Sequence, residues 1–188
     1  LLPITPSRLL RFVQSNESSP RRSRAGCIAI FVLLLGCCLG AGPVTATPAD
    51  TSSTNATQII AEALARARKS YSEIRGHYHA DSNNVETAWH LARACFDVAL
   101  LSTNNAERAK IAEEGIGVAR QLLARKPDLV QAHYYLGMNL GQLADTKRNL
   151  AALRIVDEME REFESSRKLD ATFDQAGPDR NLGMLYAQ

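Results

Sequence analysis

Residues 133–140, His133-Tyr134-Tyr135-Leu136-Gly137-Met138-Asn139-Leu140, decide how the rest of the chain reads. At their centre a large apolar residue precedes a small one, Leu136-Gly137. The same pair recurs as Leu91-Ala92 and as Leu182-Gly183, at spacings of 45 and 46 residues. A small residue lets two helix backbones approach, because the distance between packed helices follows the side chains at the contact. The Leu fills the space beside it. Leu140 and Tyr186 keep the same offset in the second and third copies, so the pattern extends beyond two residues. Self-similarity at a fixed period of this length signals stacked helical units.

Working outward, the apolar period stays helical. Ile60, Leu64, Ala67, Tyr71 and Ile74 make one stripe from about residue 58 to Gly76. Asn84 is positioned to cap a helix through Trp89, Ala92 and Phe96 to about Leu101. Asn105 is the expected cap of the next, where Ala112, Gly115, Ile116, Ala119, Leu122 and Leu123 share a face until Pro127. Further helices are expected over about residues 129–143 and 148–169, the latter with Ile155, Val156, Met159 and Phe163 inward. Strand-type alternation is hardly present. The fold class is all-α.

In its first helices the chain resembles the tetratricopeptide repeat (TPR), which carries an aromatic residue, then Leu-Gly, then Tyr, with a Pro after the second helix. His133, Leu136-Gly137 and Leu140 follow Pro127-Asp128 in this way, and Gly115 and Leu122 take the small and apolar places of a second helix. The resemblance implies an α-solenoid of antiparallel helix pairs. Its period of about 45 residues exceeds the standard 34. Ala171 stands where Pro is usual, and Cys95 where the first copy should carry Tyr. Long repeats of this kind are similar to two groups. One is the T component of TRAP-type solute transporters, an exported bacterial lipoprotein. The other is the regulator of microtubule dynamics family, which carries a stretch like Trp89-His90-Leu91-Ala92-Arg93-Ala94.

The resemblance also implies where partners bind. First helices line the concave face, with the residues three before and one after each small residue pointing into it. These are Trp89 and Arg93, Tyr134 and Met138, and Arg180 and Met184. Trp, Tyr and Arg most often carry binding energy in protein contacts, and Met adapts to irregular ligands. A protein or peptide partner is the expectation. A small organic solute, held as by the transporter component, is the alternative.

Composition alone names no function, but it excludes several classes. The chain has 188 residues, 45% hydrophobic and 22% charged, so it is neither collagenous nor wholly disordered. Its net charge of +2 comes from the first 46 residues, which hold five Arg and one acid. The remainder is slightly acidic and lacks the basic surface that a phosphate backbone attracts, so no nucleic acid is expected.

Residues 1–46 read as an export segment. Arg21-Arg22-Ser23-Arg24 precedes an uncharged run, most apolar over Cys27–Leu35, and Val44-Thr45-Ala46 ends it like a signal cleavage site. Leu34-Leu35-Gly36-Cys37 resembles the lipobox of bacterial lipoproteins, which makes Cys37 a lipidation candidate. Cleavage after Ala46, a lipid on Cys37 and an uncleaved anchor are three open routes to a periplasmic or envelope-membrane location. Residues 47–57 read as a flexible tether, and 58–188 as the repeat domain. No Met precedes Met138, and the third Leu-Gly pattern runs into Gln188, so the chain reads as a fragment truncated within its repeats.

Candidate chemistry is thin. His77-x-His79 with Asp81 could open a metal site, but two His at i, i+2 do not share a helix face, and a polar turn between helices fits better. His133 takes a packing position. Cys95 reads as a small buried hydrophobe. Gly115-x-Gly117 lies in a helix and makes no phosphate loop. No catalytic residue, metal or cofactor is expected, and the chain reads as a non-enzymatic scaffold.

Overall fold

A computed structural model describes residues 51–147 and 150–187. Among the described residues the elements are six helices and no strand. They are α1 (Thr51–Ala80), α2 (Val85–Leu101), α3 (Asn105–Arg125), α4 (Val130–Asp145), α5 (Leu150–Leu169) and α6 (Phe173–Tyr186). The three Leu-small pairs fall on α2, α4 and α6. The expected export segment, with Cys37 and Ala46, lies outside the described residues.

Local signals explain most boundaries. Asn84 caps α2 as expected, its Oδ1 accepting from the Thr87 N–H at 3.0 Å. For α3 the cap is Asn104, one residue earlier than expected, accepting from the N–H groups of Ala106 and Glu107. At the far end of α2, Arg108 donates to the carbonyl oxygens of Ala99 and Ser102, groups that a helix C-terminus leaves without internal partners. Two expectations need correction. Residues 51–57 belong to α1 and not to a flexible tether, and α1 runs past Gly76 to Ala80. His77 and His79 therefore sit in the last turn of a helix, not in a connecting turn.

Connections of three or four residues at 81–84, 102–104, 126–129 and 170–172 turn each helix back on its predecessor. Consecutive helices pack together throughout, and α2 also packs on α4. Ala88, Leu91, Cys95, Val118, Leu122 and Ala132 form a core cluster from α2, α3 and α4. Tyr71, Ile74 and Tyr78 of α1 pack against it. Close approach rests on small residues. A Cβ at Gly137 would stand 2.8 Å from the Phe163 ring, and one at Gly115 would stand 2.6 Å from the Asn139 side chain.

The odd-numbered helices meet through polar side chains at heptad spacing. From α1, Arg68 pairs with Glu107 at 2.7 Å and Arg75 with Glu114 at 2.8 Å. Tyr71 donates to Glu114 and Tyr78 to Gln121. Contacts advance by seven residues on both helices, so α1 and α3 run parallel. Arg120 and Glu158 join α3 to α5 at 2.6 Å. Pairs this exposed contribute about 0–1 kcal/mol each and fix register more than stability.

Candidate functional site

The even-numbered helices meet through aromatic rings. On α2, Trp89, Arg93 and Asp97 stand at i, i+4 and i+8, so they share a stripe. The half-buried Trp89 donates from Nε1 to Glu86 Oε2 at 2.8 Å, which fixes the indole. Its ring lies nearly parallel to Tyr135 of α4, with centroids 6.0 Å apart and planes 10° apart. His90 stacks on it at 3.7 Å. Tyr135 meets Tyr134 edge-on at 5.2 Å, and Tyr134 meets Phe173 of α6 in the same way at 5.2 Å. An aromatic row thus runs from α2 across α4 to α6. Offset and edge-on pairs of this kind add about 0.5–1.5 kcal/mol each beyond the area they bury.

Charges border the row. Arg93 lies 4.0 Å from Asp97 on α2, and Arg180 lies 3.7 Å from Asp174 on α6. Burial pushes the Tyr135 hydroxyl up to about 12; Arg93 opposes the shift, while Asp174 and Asp97 add to it. The surrounding protein likewise raises the Asp97 carboxyl, with Arg93 opposing and Asp174 adding. These charges therefore sense one another around Tyr135. Both ion pairs are at the loose end of contact, the Arg93–Asp97 pair about half-exposed and the Arg180–Asp174 pair about a third exposed.

The start of α6 is unusual. Asp174, Gln175 and Ala176 have φ of 49°, 57° and 60°, a left-handed turn without glycine. Each such residue costs about 1–2 kcal/mol, so surrounding contacts must impose the turn. Tyr134 donates to Asp174 at 2.7 Å, and Arg180 donates to the Gln175 carbonyl oxygen. After the turn Pro178 suits the first turn of a right-handed segment, where a missing N–H costs nothing.

The structure separates the six expected contact residues. Trp89, Arg93 and Arg180 gather at the row and its borders. Tyr134 and Met138 are interior, only 1% and 4% exposed, and this corrects their expected exposure on a groove surface. The cause is Asn181, whose Nδ2 lies 3.3 Å from Tyr134 Oη and 3.4 Å from Met138 Sδ, closing α6 over both. Met184 is half-buried on α6. Sequence reasoning missed Tyr135, Asp97 and Asp174. Extending the Trp89–Arg93 stripe by one turn would have found Asp97; nothing local marks Asp174, whose place depends on the left-handed turn.

Other candidates resolve into packing. His133 is a polar bridge: one ring nitrogen faces Glu162 and the other the Pro127 carbonyl. Among the described residues no group of three or more His, Cys, Asp or Glu is arranged to hold a metal. A cleft of about 300 Å³ is lined by Tyr78, Ser82, Asn83, Gln121, Ala124 and Arg125. Its polar groups bind one another, with Arg125 donating to Asn83 and to the Ser82 carbonyl, and Tyr78 to Gln121. No helix among the described residues is long and apolar enough to cross a membrane.

Cys95 is fully buried, and burial, aided by the charge of Glu114, pushes its thiol far above the ordinary range. Since the thiolate is the reacting species, Cys95 is expected to resist iodoacetamide in the folded protein and to label on unfolding. Peptide mass spectrometry checks this, and modification under native conditions would show that α2 opens.

The sequence model of the family described as regulator of microtubule dynamics protein 1-3 matches residues 53–172. The match spans α1 to α5 and takes in Trp89, Arg93, Tyr134 and Met138, and it supports the second of the two resemblances. No curated protein matches the chain. With well over half its length matched, the chain belongs to the regulator of microtubule dynamics protein 1-3 family.

Proposed function

We propose that the chain is a non-enzymatic scaffold, a TPR-like α-solenoid whose α2–α4–α6 face binds a protein or peptide. The observation that carries this reading is the parallel Trp89–Tyr135 stack bordered by Arg93, Asp97 and Asp174. The half-buried Trp89 ring, seated on the buried Tyr135, and the partly exposed charges beside it suit a peptide chain, which offers both side-chain packing and ion pairing. The two sets of contacts support the solenoid: a polar ladder joins alternate helices on one side, and an aromatic row joins the others. The family match supports a protein-interaction role. Export and a membrane tether complete the proposal and rest on Arg21–Arg24 and the apolar run after them.

Crosslinked affinity capture from the protein's own membranes tests the reading, comparing the parent chain with Arg93→Ala. The Arg93 side chain is 53% exposed, so its loss should leave the melting temperature unchanged. A defined partner should be retained by the parent and weakened by about 1 kcal/mol or more, roughly fivefold, in the variant. Equal retention of every captured protein by both would refute binding at this face.

A further inference from the structure

His133 lies between three parts of the fold. It belongs to α4, its Nδ1 is 2.6 Å from Glu162 Oε2 of α5, and its Nε2 is 2.7 Å from the Pro127 carbonyl oxygen in the α3–α4 turn. An ionised carboxylate and a peptide carbonyl both accept hydrogen bonds, and neither donates. Holding both therefore requires a proton on each ring nitrogen, whereas a neutral imidazole carries only one. The charged groups that reach the ring are Glu162 from α5 and Asp128 from the α3–α4 turn, both acids. The hydrogen bond to Glu162 does most to raise the imidazole above its ordinary value. Burial opposes it, and the Pro127 bond and the two carboxylates add to it.

What the bridge holds leads directly to the aromatic row. Glu162 is followed by Phe163, whose ring fills the space over Gly137 and lies 5.9 Å from the Tyr134 ring. Tyr134 fixes Asp174 through its hydroxyl, and Tyr135 stacks on Trp89. Seating of α5 and arrangement of the row thus share Phe163 and Tyr134.

We propose that His133 is a proton-controlled clasp that regulates the α2–α4–α6 face. Doubly protonated, it ties α5 to the α3–α4 turn and holds the aromatic row in place. Losing one proton breaks one of its two hydrogen bonds, loosens α5 and lets the row rearrange. The regulatory meaning rests on the reading of that face as a binding surface. The sign follows from linkage: a histidine raised in the folded state stabilises fully below its unfolded value of about 6.5, and the stabilisation is lost as pH climbs through the folded value.

Trp89 is the chain's single tryptophan, so its emission reports the row. The chain has four histidines, and His90 touches the indole. The background is therefore the full chain carrying His77→Gln, His79→Gln and His90→Gln, which leaves His133 as its single histidine. Between pH 5 and 8.5 the His133 ring resonance and Trp89 emission are expected to change together, with a midpoint above about 6.5. Adding Glu162→Gln should lower both midpoints by about one pH unit, a tenfold loss of proton affinity. Adding His133→Gln should abolish the emission change; if that variant does not fold, the Glu162→Gln shift carries the test. A ring titrating at or below 6.5, or one titrating higher while Trp89 emission stays flat, overturns the proposal. No partner is present in this titration, so its failure is distinct from failure of the Arg93→Ala capture, which concerns binding alone.

Discussion

Replacing Tyr134 by Ala is expected to lower the unfolding free energy by about 3–5 kcal/mol, as removal of a buried aromatic does. Tyr134 touches Tyr135, Phe163 and Phe173 at once, and its hydroxyl holds the left-handed turn through Asp174. Tyr134→Phe keeps the rings in contact and removes the hydroxyl's two hydrogen bonds, donated to Asp174 and accepted from Asn181, so about 1–2 kcal/mol should be lost. Denaturant unfolding of the parent and the two variants gives both numbers. A Tyr134→Ala chain within 1 kcal/mol of the parent would mean that the ring stands free in solvent, as a groove contact would.

Two glycines on α3 should respond to the same substitution with opposite signs. Ala is normally better than Gly in a helix interior by about 1 kcal/mol. Gly117 has nothing within 4 Å of an added Cβ, so Gly117→Ala should stabilise by up to about that amount. At Gly115 the added methyl would lie 2.6–2.8 Å from three atoms of the Asn139 side chain. That amide is fully buried and cannot swing away cheaply, because its Nδ2 donates to the carbonyl oxygens of Ala92 and Tyr135 at 2.9 and 2.7 Å. Overpacking of this kind costs about 1–3 kcal/mol and exceeds the helix gain. Gly115→Ala should therefore destabilise, and combining it with Asn139→Ala should recover part of the loss, as contacting positions do not add. A stabilised Gly115→Ala would show that α2, α3 and α4 do not approach as described.

The all-helical class was legible because an apolar period of about 3.6 runs through α1 to α5, and the Leu-small pairs marked α2, α4 and α6, the helices that the aromatic row joins. Boundaries were legible where a side chain acts locally, as at Asn84. They failed by one residue at Asn104-Asn105, where two identical residues compete and only backbone geometry decides. The early start of α1 was hidden because Thr51-Ser52-Ser53-Thr54-Asn55 has the composition of a linker. For the candidate site, offset counting put Trp89 and Arg93 on one stripe of α2, a placement that depends only on helix periodicity. The same counting placed Tyr134 and Met138 on an open face, because whether α4 is covered there depends on how α6 enters. That entry hangs on three consecutive left-handed residues, a run that local sequence does not favour without glycine.

The ladder between α1 and α3 also limits how the chain can change in length. One residue inserted in α1 between Arg68 and Tyr71 would rotate everything after it by about 100°. Tyr71, Ile74, Arg75 and Tyr78 would leave α3 and the core together. Seven inserted residues turn the helix by almost two full circles, about 20° short, and would slide the contacts without changing the face presented. Length variants of this domain that still fold are therefore expected to differ in α1 by whole heptads, with single-residue changes confined to the turns.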